Sequence, residues 1–412
     1  MVSIDRLKNM YEPGGSSYEI PKSMPALVVR KDASGLCHEE VPVPEIGHDE
    51  ALVAVMAAGV NFNTIWTIRG EPVSSFDFLK RLSTVSNAQS SHNLDYHIPG
   101  SDASGVVVKL GNSDTKWKLG DSVVINCNWH RSDDPQVFED SMISSEQKIW
   151  GYETNFGSFA AFTVVKLHQM MPKPDHLTWV EAASYSLVLC TAYRMLLTSN
   201  GASIGPGDRV LIWGGAGGLG LSAIQLCLIV GAVPIPVVST SEKGEFLREK
   251  LGVEEYIDRS AEGLSFWKGN EHNILMWRKF SNIIRSKFGG PPDVVFEHPG
   301  RDTMAASVYV LKKGGKVVTC AATTGYDIEY DNRYLWMESK SIIGCHFANP
   351  LESRKANQLV VDRKIKPFVS SCHPFSESDK AIERFESNQG FGKIVVEVLS
   401  EERDPMSHFN LF

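Results

Sequence analysis

DRVLIWGGAGGLGLSAIQLCLIVGAVPIPVVST (residues 208–240) carries a complete strand–turn–helix–strand pattern. An apolar β-rich run at 209–213 enters the turn Gly214-Gly215-Ala216-Gly217-Gly218-Leu219-Gly220, a helical run follows, and VPIPVV forms the second strand. This is the βαβ unit of a parallel sheet. Gly215, Gly217 and Gly220 fit the spacing G-x-G-x-x-G. The chemistry needs one glycine for a tight turn, one for close approach of backbone amides to a pyrophosphate, and one for helix–strand packing. Gly218 and Leu219 open the helix, whose unpaired N–H groups can meet phosphate oxygens. A flexible glycine turn would not account for the flanking strand and helix, so a dinucleotide site is expected here.

The end of the second strand selects the cofactor. A carboxylate about 20 residues after the turn would bind a ribose 2′-hydroxyl. Here the strand ends in Ser239-Thr240-Ser241-Glu242-Lys243. Hydroxyls and a lysine suit a 2′-phosphate, and Arg259 can add a second cation, so NADPH is expected. The alternative is that Lys243 is a solvated residue at a helix start.

The 412 residues favour more than one domain. Residues 1–24 are polar, with Gly, Ser and Pro at their centre, and read as an extended or partner-wrapping arm. From residue 25 to about 185, short β-rich runs such as ALVAVMAAGV (51–60) and SGVVVKLG (104–111) alternate with turn residues, the pattern of a barrel-like lobe. Residues 186–349 alternate helix and strand around the glycine turn, with a longer segment at about 261–290 that reads as a helical insertion. Residues 350–412 supply a helix and a last strand, KIVVEVL, assigned to the first lobe.

Hydrophobic residues make up 42% and charged residues 22%, a soluble composition. The formal charge of -8 argues against nucleic acid or an anionic membrane as partner. No apolar run has membrane-spanning length and residues 1–24 lack a signal-peptide core, so the cytoplasm is expected. Seven scattered cysteines without a CxxC pair read as reduced thiols rather than a disulfide frame or a structural metal site.

Several long runs carry a resemblance. GVNFNTIWTIRGEPVSSFDFL (59–79), IWGYETNFGSFA (149–160), MPKPDHLTW (171–179), AEGLSFWKG (261–269), FEHPGRDT (296–303), YDNRYLWM (330–337) and IIGCHFAN (342–349) resemble the crotonyl-CoA carboxylase/reductase family. That family lies in the zinc-free branch of the medium-chain dehydrogenase/reductase superfamily. The resemblance implies an α/β chain with a GroES-like β-barrel catalytic domain and a Rossmann doubly wound parallel sheet. It also implies NADPH and CO2 as cofactor and co-substrate, no catalytic metal, a 2-enoyl-CoA substrate, and a homo-oligomer, a tetramer in the family.

The same resemblance implies residue roles. The CO2 contacts fall on Asn63, the pair Tyr152–Glu153 and His346, with Glu153 orienting His346. Asn61 shares the motif, and alternation would place it on the same face if the segment were extended. Tyr152 stands where the family usually has Phe, and its hydroxyl could take up water or space beside CO2. Arg333 and Tyr334 match contacts to the adenosine end of CoA. Phe162 and Phe347 would set the depth of the acyl pocket, although Phe162 could equally belong to the barrel core. Three other functions stay open: an enoyl-CoA reductase that only protonates C2, a zinc-free enone or quinone reductase, and a non-catalytic NADPH-binding protein.

Overall fold

The computed structural model describes residues 3–32, 35–85, 92–131, 134–387 and 390–401. A six-stranded parallel sheet is built from Arg209–Ile212, Val233–Val238, Ile257–Asp258, Val294–Glu297, Lys316–Thr319 and Ser341–Gly344. Arg209–Ile212 lies between Val233–Val238 and Val294–Glu297, so the strand order reverses there. Open α/β sheets bind ligands at such a reversal, beyond the carboxyl ends of the strands. The glycine turn leaves Arg209–Ile212 at that point. Its helix, Gly218–Val230, buries Leu221, Ile224 and Leu226 in a core shared with helix Ser186–Leu197. The opposite sheet face buries Leu211, Val295 and Val317 with Trp277, Phe280 and Ile284 of helix Ile274–Phe288.

A second sheet forms the barrel lobe. Its central strand, Glu50–Gly59, is buried at every residue but Glu50, because Ala103–Leu110, Phe162–Lys166 and Lys393–Glu397 all pair with it. The last pairing brings residues 393–397, far along the chain, back to the end of Glu50–Gly59, with Val395 opposite Gly59. This return positions the site.

Two expectations differ from what is observed. The segment before residue 24 lies on its own barrel: Leu7 and Tyr11 are buried, and the Tyr11 ring meets Phe162 edge-on at 5.1 Å. Tyr11 is too apolar a payload to leave in water when the barrel end offers an aromatic partner. Residues 261–290 are helical only in their second half. Trp267–Lys268 and Glu271–His272 form a hairpin, and Gly269 at φ +62° supplies the left-handed residue that a two-residue turn requires. Residues 1, 2 and 402–412 of the assigned arm and C-terminal segment lie outside the described residues.

A buried ion triad fixes the lobes' junction. Arg194 of helix Ser186–Leu197 donates to Asp140 Oδ2 at 2.6 Å and to Glu352 Oε2, on helix Pro350–Val361, at 2.8 Å. All three side chains are nearly excluded from water. Removing one member of such a group leaves the others as uncompensated buried charges. Arg194→Met is therefore expected to destabilise the fold by about 3–5 kcal/mol in urea titrations. A loss below about 1 kcal/mol, the range of an exposed pair, would contradict it.

Candidate active site

The glycines of the turn divide their work. Gly214 adopts φ +59°, and a Cβ there would sit 2.8 Å from His298 Nε2. At Gly220 a Cβ would sit 2.3 Å from the Gly214 carbonyl oxygen, and at Gly215 2.8 Å from Pro236 Cβ. These positions are glycine because the chain is packed against them. Gly217, the N-cap of the helix, is different: a Cβ would meet only the Gly214 carbonyl, at 3.4 Å. Its helix carries no side-chain cap, so the first N–H groups stay available to an anion.

Gly217, Gly218, Leu219 and Gly220 line a cleft of about 710 Å³, and Ser239, Lys243 and Arg259 line it at the end of the second strand. Gly215 does not: it faces Pro236. The open space at Gly217 and the cations beyond the second strand fit a phosphorylated dinucleotide. Desolvation lowers the Lys243 ammonium pKa below its usual value, a shift that an incoming phosphate would oppose.

Further along the same cleft, helix Phe62–Arg69 begins at Asn61, which is extended (φ −133°). Asn61 Nδ2 donates to Asp102 Oδ2 at 2.8 Å, and its Oδ1 accepts from the Lys393 ammonium. Lys393 also donates to the Val60 carbonyl at 2.7 Å and to Asp102 Oδ2 at 3.2 Å. The other Asp102 oxygen accepts the Leu187 N–H at 2.8 Å. Burial pushes the Asp102 pKa up and the Lys393 pKa down, and each charge opposes the other's shift. Asn61 is thus committed to structure. Asn63 sits in the first helical turn, so strand alternation does not relate the two. Asn63 Nδ2 donates to Ser101 Oγ at 2.8 Å, and Asn63 lines the cleft.

Tyr152 and His346 line the cleft as well, with Phe347 buried beside His346. The Tyr152 ring packs near Trp66 and Phe78, and its hydroxyl faces the Glu71 carbonyl at 3.4 Å. Burial raises that phenol to about 12.

Four expected site residues lie elsewhere. Glu153 Oε2 accepts the Ile149 N–H at 2.8 Å, closing its own turn, and among the described residues it makes no bond to His346. Phe162 is fully buried in the barrel with its ring against Tyr11, and it does not border the cleft. Arg333 forks onto Asp331, with Nη2 2.6 Å from Oδ2, and Tyr334 meets Tyr309 edge-on at 5.0 Å. Neither borders the cleft; both lie on the short helix Arg333–Trp336. Ser101, Asp102, His298 and Lys393 were missed. A charge inside an apolar run was the available signal for two of them, Asp102 before ASGVVVKL and Lys393 opening KIVVEVL.

Comparison with known proteins bears on the family and the fold. Residues 47–175 match the alcohol dehydrogenase GroES-like domain, and residues 218–362 match the zinc-binding dehydrogenase family. Among the described residues no group of three His, Cys, Asp or Glu is placed to hold a metal ion. The crotonyl-CoA reductase of Streptomyces collinus is 47% identical, over 94% of this chain and 90% of that one. The crotonyl-CoA carboxylase/reductase of Cereibacter sphaeroides is 42% identical over 93% and 89%. The structure of the 2-octenoyl-CoA carboxylase reductase CinF, in complex with NADP and 2-octenoyl-CoA, superposes with a TM-score of 0.89 at 39% identity, covering 93% of this chain and 90% of that one. With a GroES-like lobe, a Rossmann sheet and relatives this similar across nearly its whole length, the chain belongs to the crotonyl-CoA carboxylase/reductase family of the medium-chain dehydrogenase/reductase superfamily.

Proposed function

We propose that this protein reduces a trans-2-enoyl-CoA with NADPH and carboxylates it at C2 in the same turnover, giving an alkylmalonyl-CoA. The observation that carries the reading is one cleft lined by the glycine turn, by Ser239, Lys243 and Arg259, and by Asn63, Tyr152 and His346. Bound NADPH supplies a hydride to C3 of the thioester. Electron density then reaches the thioester oxygen through C2, and C2 attacks CO2, or takes a proton where CO2 is absent.

The chain's own residues do the rest. The backbone N–H groups that open the helix after Gly217 hold the diphosphate at its N-terminus. Ser239, Lys243 and Arg259 hold the 2′-phosphate. The second amide N–H of Asn63 and an imidazole N–H of His346 are donors for the oxygens of CO2. Phe62, Trp66, Ile149 and the Tyr152 ring give the cleft apolar walls that exclude water from the carbanion. Glu153 acts through the 149–153 turn, which presents Tyr152. Arg333 and Tyr334 can meet the adenosine end of CoA only outside the nucleotide cleft. Exposed Trp336 and Met337 beside them suit a subunit contact, and the assembly proposed is the homotetramer that the family resemblance implies. The compartment proposed is the cytoplasm; among the described residues no helix is long and apolar enough to cross a membrane.

The test is turnover of crotonyl-CoA with NADPH, carbonic anhydrase and 13C-bicarbonate. The expected product is a labelled dicarboxylic acyl-CoA. Saturated acyl-CoA alone identifies a simple reductase, and oxidation of NADPH by free enones without CoA identifies an enone reductase.

Removing both cations in Lys243→Ala/Arg259→Ala is expected to raise the KM for NADPH by on the order of 30-fold, the equivalent of about 2 kcal/mol of charge-assisted bonding. The KM for NADH should hardly move, and equal effects on both would refute the 2′-phosphate assignment. Because the Tyr152 hydroxyl faces the Glu71 carbonyl, Tyr152→Phe is expected to change the carboxylated share of product by less than about twofold. A larger gain in carboxylation would show that the hydroxyl does reach the reacting carbon.

A further inference from the structure

The hydrogen bonds around Asn63 can be assigned in direction. The Trp150 carbonyl can only accept, so Ser101 Oγ, 2.6 Å away, spends its proton there. Ser101 Oγ must then accept from Asn63, 2.8 Å away, and the Asn63 group facing it is the nitrogen. The consequence is an orphan: Asn63 Oδ1 is buried and among the described residues has no hydrogen-bond partner. A flipped amide would set two oxygens against each other at Ser101. The unmatched oxygen is therefore the cost of keeping the nitrogen where it is.

The scaffold under this chain of bonds is stiff. Ser101 and Trp150 are fully buried. The backbone around them is in direct contact: Gly100 N–H donates to the Gly151 carbonyl at 3.2 Å, and a Cβ on Gly151 would lie 1.9 Å from the Gly100 carbonyl oxygen. Adjacent Asp102 grips Asn61 in parallel. Two neighbouring residues thus hold two asparagines, one fixing the helix start and the other an amide plane.

We propose that Ser101 is a positioning residue for carboxylation: by accepting from Asn63 it fixes which end of that amide meets CO2. This rests on the carboxylating reading of the cleft. Without the Ser101 hydroxyl the amide can turn over, and its oxygen then faces the partly negative oxygens of CO2. Hydride transfer needs no such donor, so the two outcomes of a turnover should separate.

The experiment compares Ser101→Ala and Ser101→Cys with the unaltered protein on crotonyl-CoA, NADPH and 13C-bicarbonate, measuring NADPH oxidation and the ratio of carboxylated to saturated product. In Ser101→Ala the ratio should fall by about tenfold or more, while NADPH oxidation slows by at most about threefold. The KM for CO2 should rise, and the KM for NADPH should stay put. Ser101→Cys keeps the volume and a weak donor–acceptor, so its ratio should lie between the two; it also decides the matter if Ser101→Ala does not fold. An unchanged ratio, or a parallel loss of both products, overturns the proposal and leaves Ser101 a packing residue. Absence of label even from the unaltered protein's product overturns the carboxylating reading, and the proposal with it.

Discussion

The buried pair Asp102–Lys393 holds the functional half of the molecule together. Stripping water from two such charges costs several kcal/mol for each ion, and only near-complete hydrogen bonding offsets it. That bonding comes from separate parts of the chain: the Val60 carbonyl and Asn61 amide before helix Phe62–Arg69, and the Leu187 N–H of helix Ser186–Leu197. The dinucleotide turn packs directly on the Lys393 stem, so closely that a Cβ on Gly218 would lie 2.8 Å from Lys393 Cδ. Gly392, next to Lys393, also donates to the Ala216 carbonyl of the turn at 2.8 Å. The ion pair thus sets the distance between the phosphate-binding turn and the asparagine helix. A hydride donor held at the turn must span that distance to reach a substrate beside the helix.

This explains which features could be read from the sequence. The strand–turn–helix–strand pattern at 208–240 is local: its periodicities and glycines sit within one stretch, so the Rossmann sheet follows from neighbours along the chain. The returning strand at 393–397 was legible as a strand, but the use of its first residue was not. Lys393 meets Asp102 from nearly three hundred residues away, and no propensity reports a buried pair of that separation. Asn63, Tyr152 and His346 were found through resemblance rather than chemistry, since singly each could be a turn or core residue. Where resemblance alone carried a role, geometry could redirect it. The Glu153 carboxylate is taken up by a backbone N–H four residues back, and Phe162 falls on the barrel side of its strand. The hairpin at 267–272 reads as helix because its aromatic and basic residues fit either; the pair Gly269-Asn270 is the local sign of a turn.

The same cleft must favour an electrophile with no charge over the ubiquitous proton, and its titratable lining suits that task. Tyr152 is held protonated, its phenol pushed up to about 12. Burial lowers His298 to about 4, and its Nε2 faces the Trp213 carbonyl, which obliges that nitrogen to carry the only ring proton. The thiols of Cys127 and Cys320, also in the wall, are raised by burial and stay protonated. These groups are poor proton donors near neutral pH, because giving one up would leave a charge that the apolar wall cannot solvate. His346 differs from them in being exposed to the cleft. On the proposed reading, a negative charge developing at C2 is faced by N–H dipoles rather than by the protonated phenol and thiols of the wall. On that reading, carboxylation in such a site depends less on a catalytic group than on the orientation of two donors, an amide fixed from behind by a serine and an imidazole open to the cleft. The discrimination between carbon dioxide and a proton is accordingly a matter of geometry held by buried polar bonds.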